Sequence, residues 1–295
     1  MEWRGRQGSS NVEDIRGSGG GGFPGGGMAA GGGGIGCLGI IIAIIYMMMG
    51  GNPGDILGGG DPGQQQPTQQ QQAQTQSDEK TDDRKQFASV VLKDTEDVWT
   101  KIFEENGRTY HQPKLVLFSN GVNTACGSAS SSMGPFYCPG DQKVYIDLSF
   151  MDQLEQQFDA PGDFAMAYVI AHEIGHHVQY ELGISDRVNH LRQQLSEEQF
   201  NKYSVAMELQ ADYFAGVYAH YEEKSGITDA GDVEEAIKAA HAVGDDTLQR
   251  NATGRVNPES FTHGTSEQRM KWFQKGFESG DINGGDTFSE MGLRL

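Results

Sequence analysis

Basic residues are scarce in this chain. Its 295 residues include 22 lysines and arginines against 41 aspartates and glutamates, which gives a net charge of −19 at pH 7. Such an excess of negative charge is repelled by phosphate backbones and by anionic lipid surfaces. The composition therefore argues against nucleic acid as a partner.

Cysteine is also rare, with three residues in the chain. Cys126 and Cys138 are 12 positions apart in a stretch of turns and short strands, where a disulfide can close a loop in an oxidising compartment. Their spacing is not C-x-x-C, which argues against a zinc-binding pair. We predict a Cys126–Cys138 disulfide, and the alternative is two unpaired buried thiols.

Charge is absent from residues 28–51, which contain the apolar run "IGCLGIIIAIIYMMM". These 24 positions are long enough for one membrane helix. The alternatives are the apolar region of a cleaved signal peptide and a buried soluble helix. Arg4, Arg6 and Arg16 precede the run and no basic residue follows it before Lys80, so we expect the amino-terminal arm in the cytoplasm and the remainder exported.

Composition divides the chain into four segments. Residues 1–27 are predicted to be a disordered glycine-rich cytoplasmic arm, and residues 28–51 the transmembrane helix. Residues 52–83 are rich in glycine and glutamine and are predicted to form a linker. Residues 84–295 carry the apolar periodicity that a core requires and form the predicted folded domain.

The pattern within the folded domain predicts an α+β fold. The strand-like segments "KLVLFS" and "GPFYCPGDQKVYIDL" come early, and the second contains a Pro-Gly-Asp turn. The later sequence has helical periodicity, and Ser196 with Gln199 forms a capping box for a helix that Gly226 ends. We expect a small sheet packed against a mainly helical bulk.

The segment "YVIAHEIGHHVQ" places polar residues in an otherwise apolar helix. His172, Glu173 and His176 match H-E-x-x-H, in which the two histidines share one helix face and can bind one metal ion. Glu173 then lies beside the position of a metal-bound water. His177 is one step off that face and is interpreted as a packed histidine.

A catalytic zinc site needs a third protein ligand. In "AMELQADYFAG", Glu208 and Asp212 are four positions apart on a second predicted helix. Two carboxylates on a helix are ordinarily solvated, but the presence of an H-E-x-x-H in the same domain favours a metal-binding role. His, His and Glu together are a common zinc ligand set.

The combination of "HEIGHH" and "ELQAD", with Glu208 following His176 by 32 positions, resembles the gluzincin arrangement. That resemblance implies that Glu208 is the third zinc ligand and that Asp212 hydrogen-bonds a ligand histidine. Asp212 as the direct ligand is the alternative. Together with "TACGSASSSMGPFYCPGDQKVYIDLSF" and "FTHGTSEQRMKWFQKGFESGD", these motifs are similar to the bacterial neutral zinc metallopeptidase family, whose members are membrane-anchored.

A further histidine lies in "FTHGTSEQR". His263 and Arg269 resemble a segment near the end of the CAAX-processing membrane zincins, although Gly264 stands where that family has proline. The resemblance implies that His263 stabilises the oxyanion. A capping or surface histidine is the alternative.

The function that the sequence favours is a zinc-dependent endopeptidase with a zincin-like domain. It would hydrolyse peptide bonds through a zinc-activated water with Glu173 as general base. The apolar run, the arginine asymmetry and the resemblance together predict a single-pass protein of the bacterial inner membrane, with the catalytic domain in the periplasm or outside the cell. We expect a protein or peptide substrate to bind as an extended strand along "GPFYC" or "KVYID". The alternative is a catalytically silent, zinc-stabilised binding or scaffold module of the cell envelope.

Overall fold

A computed structural model of the chain describes residues 1–16, 70–157 and 162–295. Within these residues the predicted α+β class is confirmed, with a small mixed sheet against a larger set of helices. The helices are α1 (Gln70–Glu105), α2 (Phe150–Gln157), α3 (Asp163–Glu181), α4 (Ile184–Leu191), α5 (Glu197–Lys224), α6 (Asp232–Ala242), α7 (Asp245–Thr253), α8 (Ser266–Ser279) and α9 (Thr287–Glu290).

The strands form two sheets. They are β1 (Val12–Asp14), β2 (Lys114–Phe118), β3 (Gly121–Thr124), β4 (Gly127–Ser130), β5 (Phe136–Cys138) and β6 (Lys143–Asp147). The main sheet has the order β1-β2-β6-β5, in which β1, β2 and β6 are parallel and β5 is antiparallel to β6. Strands β3 and β4 form a separate antiparallel hairpin.

The two faces of the main sheet are covered differently. Alternate residues of β2 and β6, such as Leu115 and Ile146, point into the large core that the sheet shares with the helices. The opposite face carries Val116, Phe136 and Tyr145, which pack against the β3–β4 hairpin. The hairpin therefore sits on the outer face of the sheet, near its β5 edge.

Helices α3 and α5 cross at a glycine. A Cβ atom added to Gly175 would lie 2.9 Å from the carbonyl oxygen of Ala211 and 3.0 Å from its Cα, so a larger residue would separate the helices. This close approach explains why glycine lies inside the H-E-x-x-H helix despite its low helix propensity. It also brings the Glu208 region of α5 against the two histidines of α3.

The predicted capping box is confirmed, and one predicted boundary is wrong. The capping box is present, since the Ser196 hydroxyl accepts from the Gln199 amide and the Gln199 side chain accepts from the Ser196 amide. The linker predicted over residues 52–83 is shorter, because α1 begins at Gln70. No glycine or proline occurs between Pro67 and Gly107, and glutamine is a good helix former, so the helix extends into the glutamine-rich stretch.

The predicted disordered arm of residues 1–27 is wrong for residues 1–16, which pack on the folded domain. Strand β1 extends the main sheet, and Trp3 is only 3% exposed, with its ring edge-on to Phe87. The Trp3 indole donates to Asp163 at 2.7 Å. Glycine is concentrated after residue 16. The composition averaged over residues 1–27 therefore did not show that residues 1–16 have enough apolar side chains to pack on the core.

The predicted single-pass inner-membrane localisation is contradicted. Among the described residues, no helix combines the length and apolarity that crossing a bilayer requires. Residues 28–51, on which the prediction rested, lie outside the described residues. Arg4, Arg6 and Arg16, which suggested a cytoplasmic arm, each form an ion pair with an aspartate in the described structure. Strands β1 and β2 are paired in one sheet, whereas a single crossing between them would put them on opposite sides.

The amino-terminal segment also covers two buried carboxylates. Arg6 binds Asp94 of α1 through two hydrogen bonds of 2.8 and 2.5 Å. Glu222 of α5 is 2% exposed, and its Oε2 atom has no hydrogen-bond partner among the described residues. Burial raises the pKa of Glu222 to about 8 and that of Asp94 to about 6, although Arg6 opposes both shifts.

We expect the free energy of unfolding to decrease as the pH rises from about 4.5 to 8. The pKa of Glu222 is higher in the folded protein, so the folded state binds more protons than the unfolded state in this window. Glu222→Gln should remove this loss and be about 2 to 4 kcal/mol more stable than wild type at pH 8. Urea unfolding at pH 5 and pH 8 measures the difference, with the exposed neighbour Glu223→Gln as control. Identical pH dependence in all three proteins would contradict this account.

Candidate metal centre

Three predicted side chains meet at the crossing of α3 and α5. The ligand atoms of His172, His176 and Glu208 all lie within 4.8 Å of one another. His172 Nε2 is 3.2 Å from Glu208 Oε2, and His176 Nε2 is 3.5 Å from Glu208 Oε1. Two imidazole nitrogens and a carboxylate thus converge on one point.

The other nitrogen of each imidazole is held by a hydrogen-bond acceptor. His172 Nδ1 lies 2.8 Å from Asp212 Oδ1, and His176 Nδ1 lies 2.9 Å from Gln179 Oε1. Because Nδ1–H donates in both rings, Nε2 is the atom of each ring that is left to bind a metal. The donor set fits zinc, which takes three protein ligands of these types at catalytic sites.

Asp212 is occupied in orienting its neighbours. Besides His172, its carboxylate accepts from the Tyr168 hydroxyl at 2.5 Å and from Arg269 at 2.8 and 2.9 Å. Asp212 and Arg269 are both buried, so the ion pair compensates the cost of burying each charge. With both oxygens engaged, Asp212 is placed to hold His172 rather than to bind the metal directly.

The charges at the centre are tightly coupled. Burial raises the pKa of Glu208, but His263, His176 and His172 outweigh burial and hold it well below the ordinary value of a glutamate. Burial lowers the pKa of His172, but Asp212 outweighs burial and raises it to about 9. Metal binding therefore has to displace a proton from His172, which makes the affinity depend on pH.

Glu173 is 3% exposed, and its Oε2 atom has no hydrogen-bond partner among the described residues. Burial raises its pKa, while the positive charges of His172 and His176 oppose the rise. An unpartnered buried carboxylate is costly unless a ligand satisfies it. Glu173 thus places an unpartnered carboxylate oxygen close to the two histidines.

His263 comes from the loop before α8 and is 1% exposed. Its Nδ1 lies 2.8 Å from the Thr262 hydroxyl and 3.2 Å from Asp245 Oδ1. Asp245 also accepts the backbone N–H groups of Thr262, His263 and Gly264, which fixes the loop. The Nε2 atom has no partner among the described residues, and the ring lies close enough to Glu208 to lower the pKa of that carboxyl.

A cleft of about 380 Å³ reaches the centre. His176 and Glu208 form part of its wall, and exposed residues such as Ser128 and Asn189 form its rim. The remaining walls come from the β3–β4 hairpin, from β5 and from the α4 and α5 helices. Solvent and a ligand can therefore approach two of the three candidate ligands.

The predicted disulfide is confirmed and borders this cleft. Cys126, in the turn between β3 and β4, is bonded to Cys138 at the end of β5. The neighbouring Tyr137 hydroxyl donates to Nδ1 of His177, whose Nε2 donates to the carbonyl oxygen of His111. His177 is thus a packed histidine, and it connects the edge strand to the motif helix.

Three residues of the centre were not predicted from the sequence. Tyr168 and Gln179 lie one helical turn from His172 and His176, so the same periodicity that identified the motif could have identified them. Asp245 is 18 positions from His263 and had no comparable local signal.

Known proteins are similar to this chain over most of its length. The family model described as "Putative neutral zinc metallopeptidase" matches residues 1–288. The chain is 48% identical over 290 residues to uncharacterized protein YpfJ of Escherichia coli K12, covering 98% of this chain and 99% of the relative. It is 45% identical over 195 residues to uncharacterized protein Rv2575 of Mycobacterium tuberculosis, covering 62% of this chain and 65% of the relative. No solved structure matches the chain. The extent of these matches establishes that the chain belongs to the neutral zinc metallopeptidase family, whose cofactor is zinc.

Proposed function

We propose that the protein is a zinc-dependent endopeptidase with a zincin-like catalytic domain of the gluzincin type. The observation that carries the proposal is the cleft, since it borders His176 and Glu208 and gives a substrate access to the centre. A catalytically silent scaffold module needs the same ligands but no cleft that reaches them, whereas a silent binding module would share the cleft and differ from the enzyme in cleaving no peptide. The buried Glu173 agrees with either function when considered alone.

The proposed roles follow from the contacts. His172, His176 and Glu208 hold the metal, and Asp212 and Gln179 fix the orientation of the two imidazoles. When bound, zinc supplies a Lewis acid that lowers the pKa of water and polarises the scissile carbonyl. Glu173 accepts a proton from the attacking water and transfers it to the amine of the leaving peptide.

We propose that an extended peptide binds along β5. This strand is at the edge of the main sheet and lines the cleft through Phe136 and Tyr137, so its outer side can add a strand. Strand β6, the other candidate, has hydrogen-bonded partners on both sides and no free edge. The substrate would then lie between β5 and the motif helix α3.

Peptide hydrolysis by the purified full chain tests the proposed function. The chain should contain one zinc per molecule and cleave peptides of a mixed library. Removal of the metal by a chelator should abolish cleavage and added zinc should restore it. Stoichiometric zinc with no cleavage of any library peptide would favour the silent module.

We expect His263→Ala to lower kcat by about 10²- to 10³-fold while zinc content and KM stay nearly unchanged. The unpartnered Nε2 atom can donate to the developing oxyanion, an interaction made chiefly in the transition state. Turnover of one peptide and thermal stability should be measured on the same preparation. A less stable variant with wild-type turnover per folded molecule would mean that His263 only fixes the loop beside Asp245.

A further inference from the structure

The candidate cleft contains an arginine without an acidic partner. Apart from His176 and Glu208, Arg192 is the only charged residue among the described residues that line the cleft. It caps the carboxyl end of α4, and its side chain forms no hydrogen bond or ion pair with any described residue. Glu197 and Glu198, in the first turn of α5, form no ion pair with it within the described structure.

Other arginines of the described residues, such as Arg108 and Arg187, also form no ion pair, but Arg192 is the arginine that lines the cleft. The guanidinium groups of Arg6, Arg84 and Arg269 each bind an aspartate, and the chain has 41 acidic residues that could pair with a cation. An acidic protein that leaves one arginine unpaired inside its cleft keeps five N–H donors available to a ligand.

The Arg192 guanidinium lies over an aromatic ring rather than beside an anion. It lies over the ring of Phe200, with its carbon atom 5.0 Å from the ring centroid. Phe200 is buried at the start of α5 and also lines the cleft. A cation held on an aromatic face keeps its N–H edge free, and a guanidinium edge matches the geometry of a carboxylate.

Apolar side chains line the same part of the cleft. Val188 of α4 and Phe200 and Met207 of α5 lie along one wall, and Glu208, the candidate ligand, follows Met207 directly. These apolar surfaces can contact the carbon atoms of a peptide whose carboxylate binds the guanidinium. The repulsion that the net charge of −19 imposes on an acidic peptide would be overcome locally at this point.

We infer that Arg192 is a specificity-determining residue that binds a carboxylate of the peptide substrate. The carboxylate belongs either to an Asp or Glu side chain at a defined distance from the scissile bond or to the carboxyl terminus of the peptide. This inference rests on the proposed peptidase function. Arg192 selects substrates and takes no part in the chemical step.

Cleavage profiling of a peptide library by the zinc-loaded full chain tests the inference. The wild type should prefer peptides with a carboxylate at one position by about 5- to 20-fold over amide analogues. Arg192→Gln should lose this preference, and Arg192→Glu should favour Lys or Arg at the same position. The preference should weaken in high salt because the site is exposed.

Arg187→Gln is the matched control. Arg187 is exposed on the same helix, donates to the Gly183 carbonyl oxygen and does not line the cleft, so its profile should equal that of wild type. Amidation of the peptide termini separates the two sources. A preference that disappears on amidation identifies the terminal carboxylate, and one that persists identifies a side chain. An unchanged profile in Arg192→Gln overturns the inference.

A binding measurement separates this inference from the proposed function. Zinc-loaded Glu173→Gln and the Glu173→Gln/Arg192→Gln double variant are compared for capture of acidic peptides and their amide analogues. Absence of cleavage by the wild type would reject the peptidase function. Carboxylate binding by Arg192 would still be supported if Glu173→Gln captured acidic peptides in preference to their amide analogues and the double variant did not. Equal capture of acidic peptides by the single and the double variant would reject carboxylate binding by Arg192.

Discussion

Replacing His172, His176 or Glu208 with alanine is expected to abolish stoichiometric zinc binding and, with it, peptide hydrolysis. Each residue supplies one of three ligand atoms within 4.8 Å, and a three-ligand site that loses one ligand no longer encloses the metal. We expect zinc affinity to fall by at least about 10³-fold. Elemental analysis after dialysis against a weak chelator measures the zinc content.

His190→Ala is the control for these variants. His190 is exposed on α4 and contacts the Asp186 carbonyl oxygen, away from the three candidate ligands. It should retain one zinc per chain. One equivalent of zinc in a folded Glu208→Ala protein would remove Glu208 from the ligand set and return Asp212 as the third ligand.

Glu173→Gln is expected to retain zinc and lower kcat by about 10²- to 10⁴-fold. Glutamine has nearly the same shape as glutamate but cannot accept the proton that the general base must take. Glu173 is outside the three-ligand cluster, so the metal should remain bound. Zinc content and turnover of a library-derived peptide should be measured on the same protein.

Glu198→Gln is the matched control for this substitution. Glu198 is exposed in the first turn of α5 and is not part of the cleft wall, so its variant should turn over like wild type. Wild-type turnover in zinc-loaded Glu173→Gln would rule out Glu173 as the general base. Loss of zinc from the same variant would instead indicate that Glu173 takes part in metal binding.

The parts of this protein that sequence analysis predicted well have short-range physical causes. His172 and His176 share a face because of the helical period, and Ser196 and Gln199 cap α5 through contacts three positions apart. Cys126 and Cys138 are 12 positions apart, so the loop that their disulfide closes is short. Glu208 is 32 positions from His176, and its prediction depended on a resemblance to known zinc peptidases.

The predictions that failed had averaged composition over segments with different environments. Residues 1–16 join the sheet through β1 and bury Trp3, although they precede a glycine-rich stretch. The arginines of that segment form ion pairs with aspartates, some of them on α1. Counting basic residues beside an apolar run cannot show whether they pair with acidic residues of the fold or hold a segment on the cytoplasmic side of a membrane.

Sequence alone was sufficient for the α+β class, for the H-E-x-x-H helix and for the chemistry that its residue types permit. It could not identify β5 as the exposed edge, Arg192 as the unpaired cation of the cleft, or Asp245 as the partner of His263. Those features depend on which segments, far apart in the sequence, are in contact in the folded protein. The packing of Gly175 against Ala211 and the β1-β2-β6-β5 strand order bring these segments together, and neither leaves a periodic or local signal in the chain.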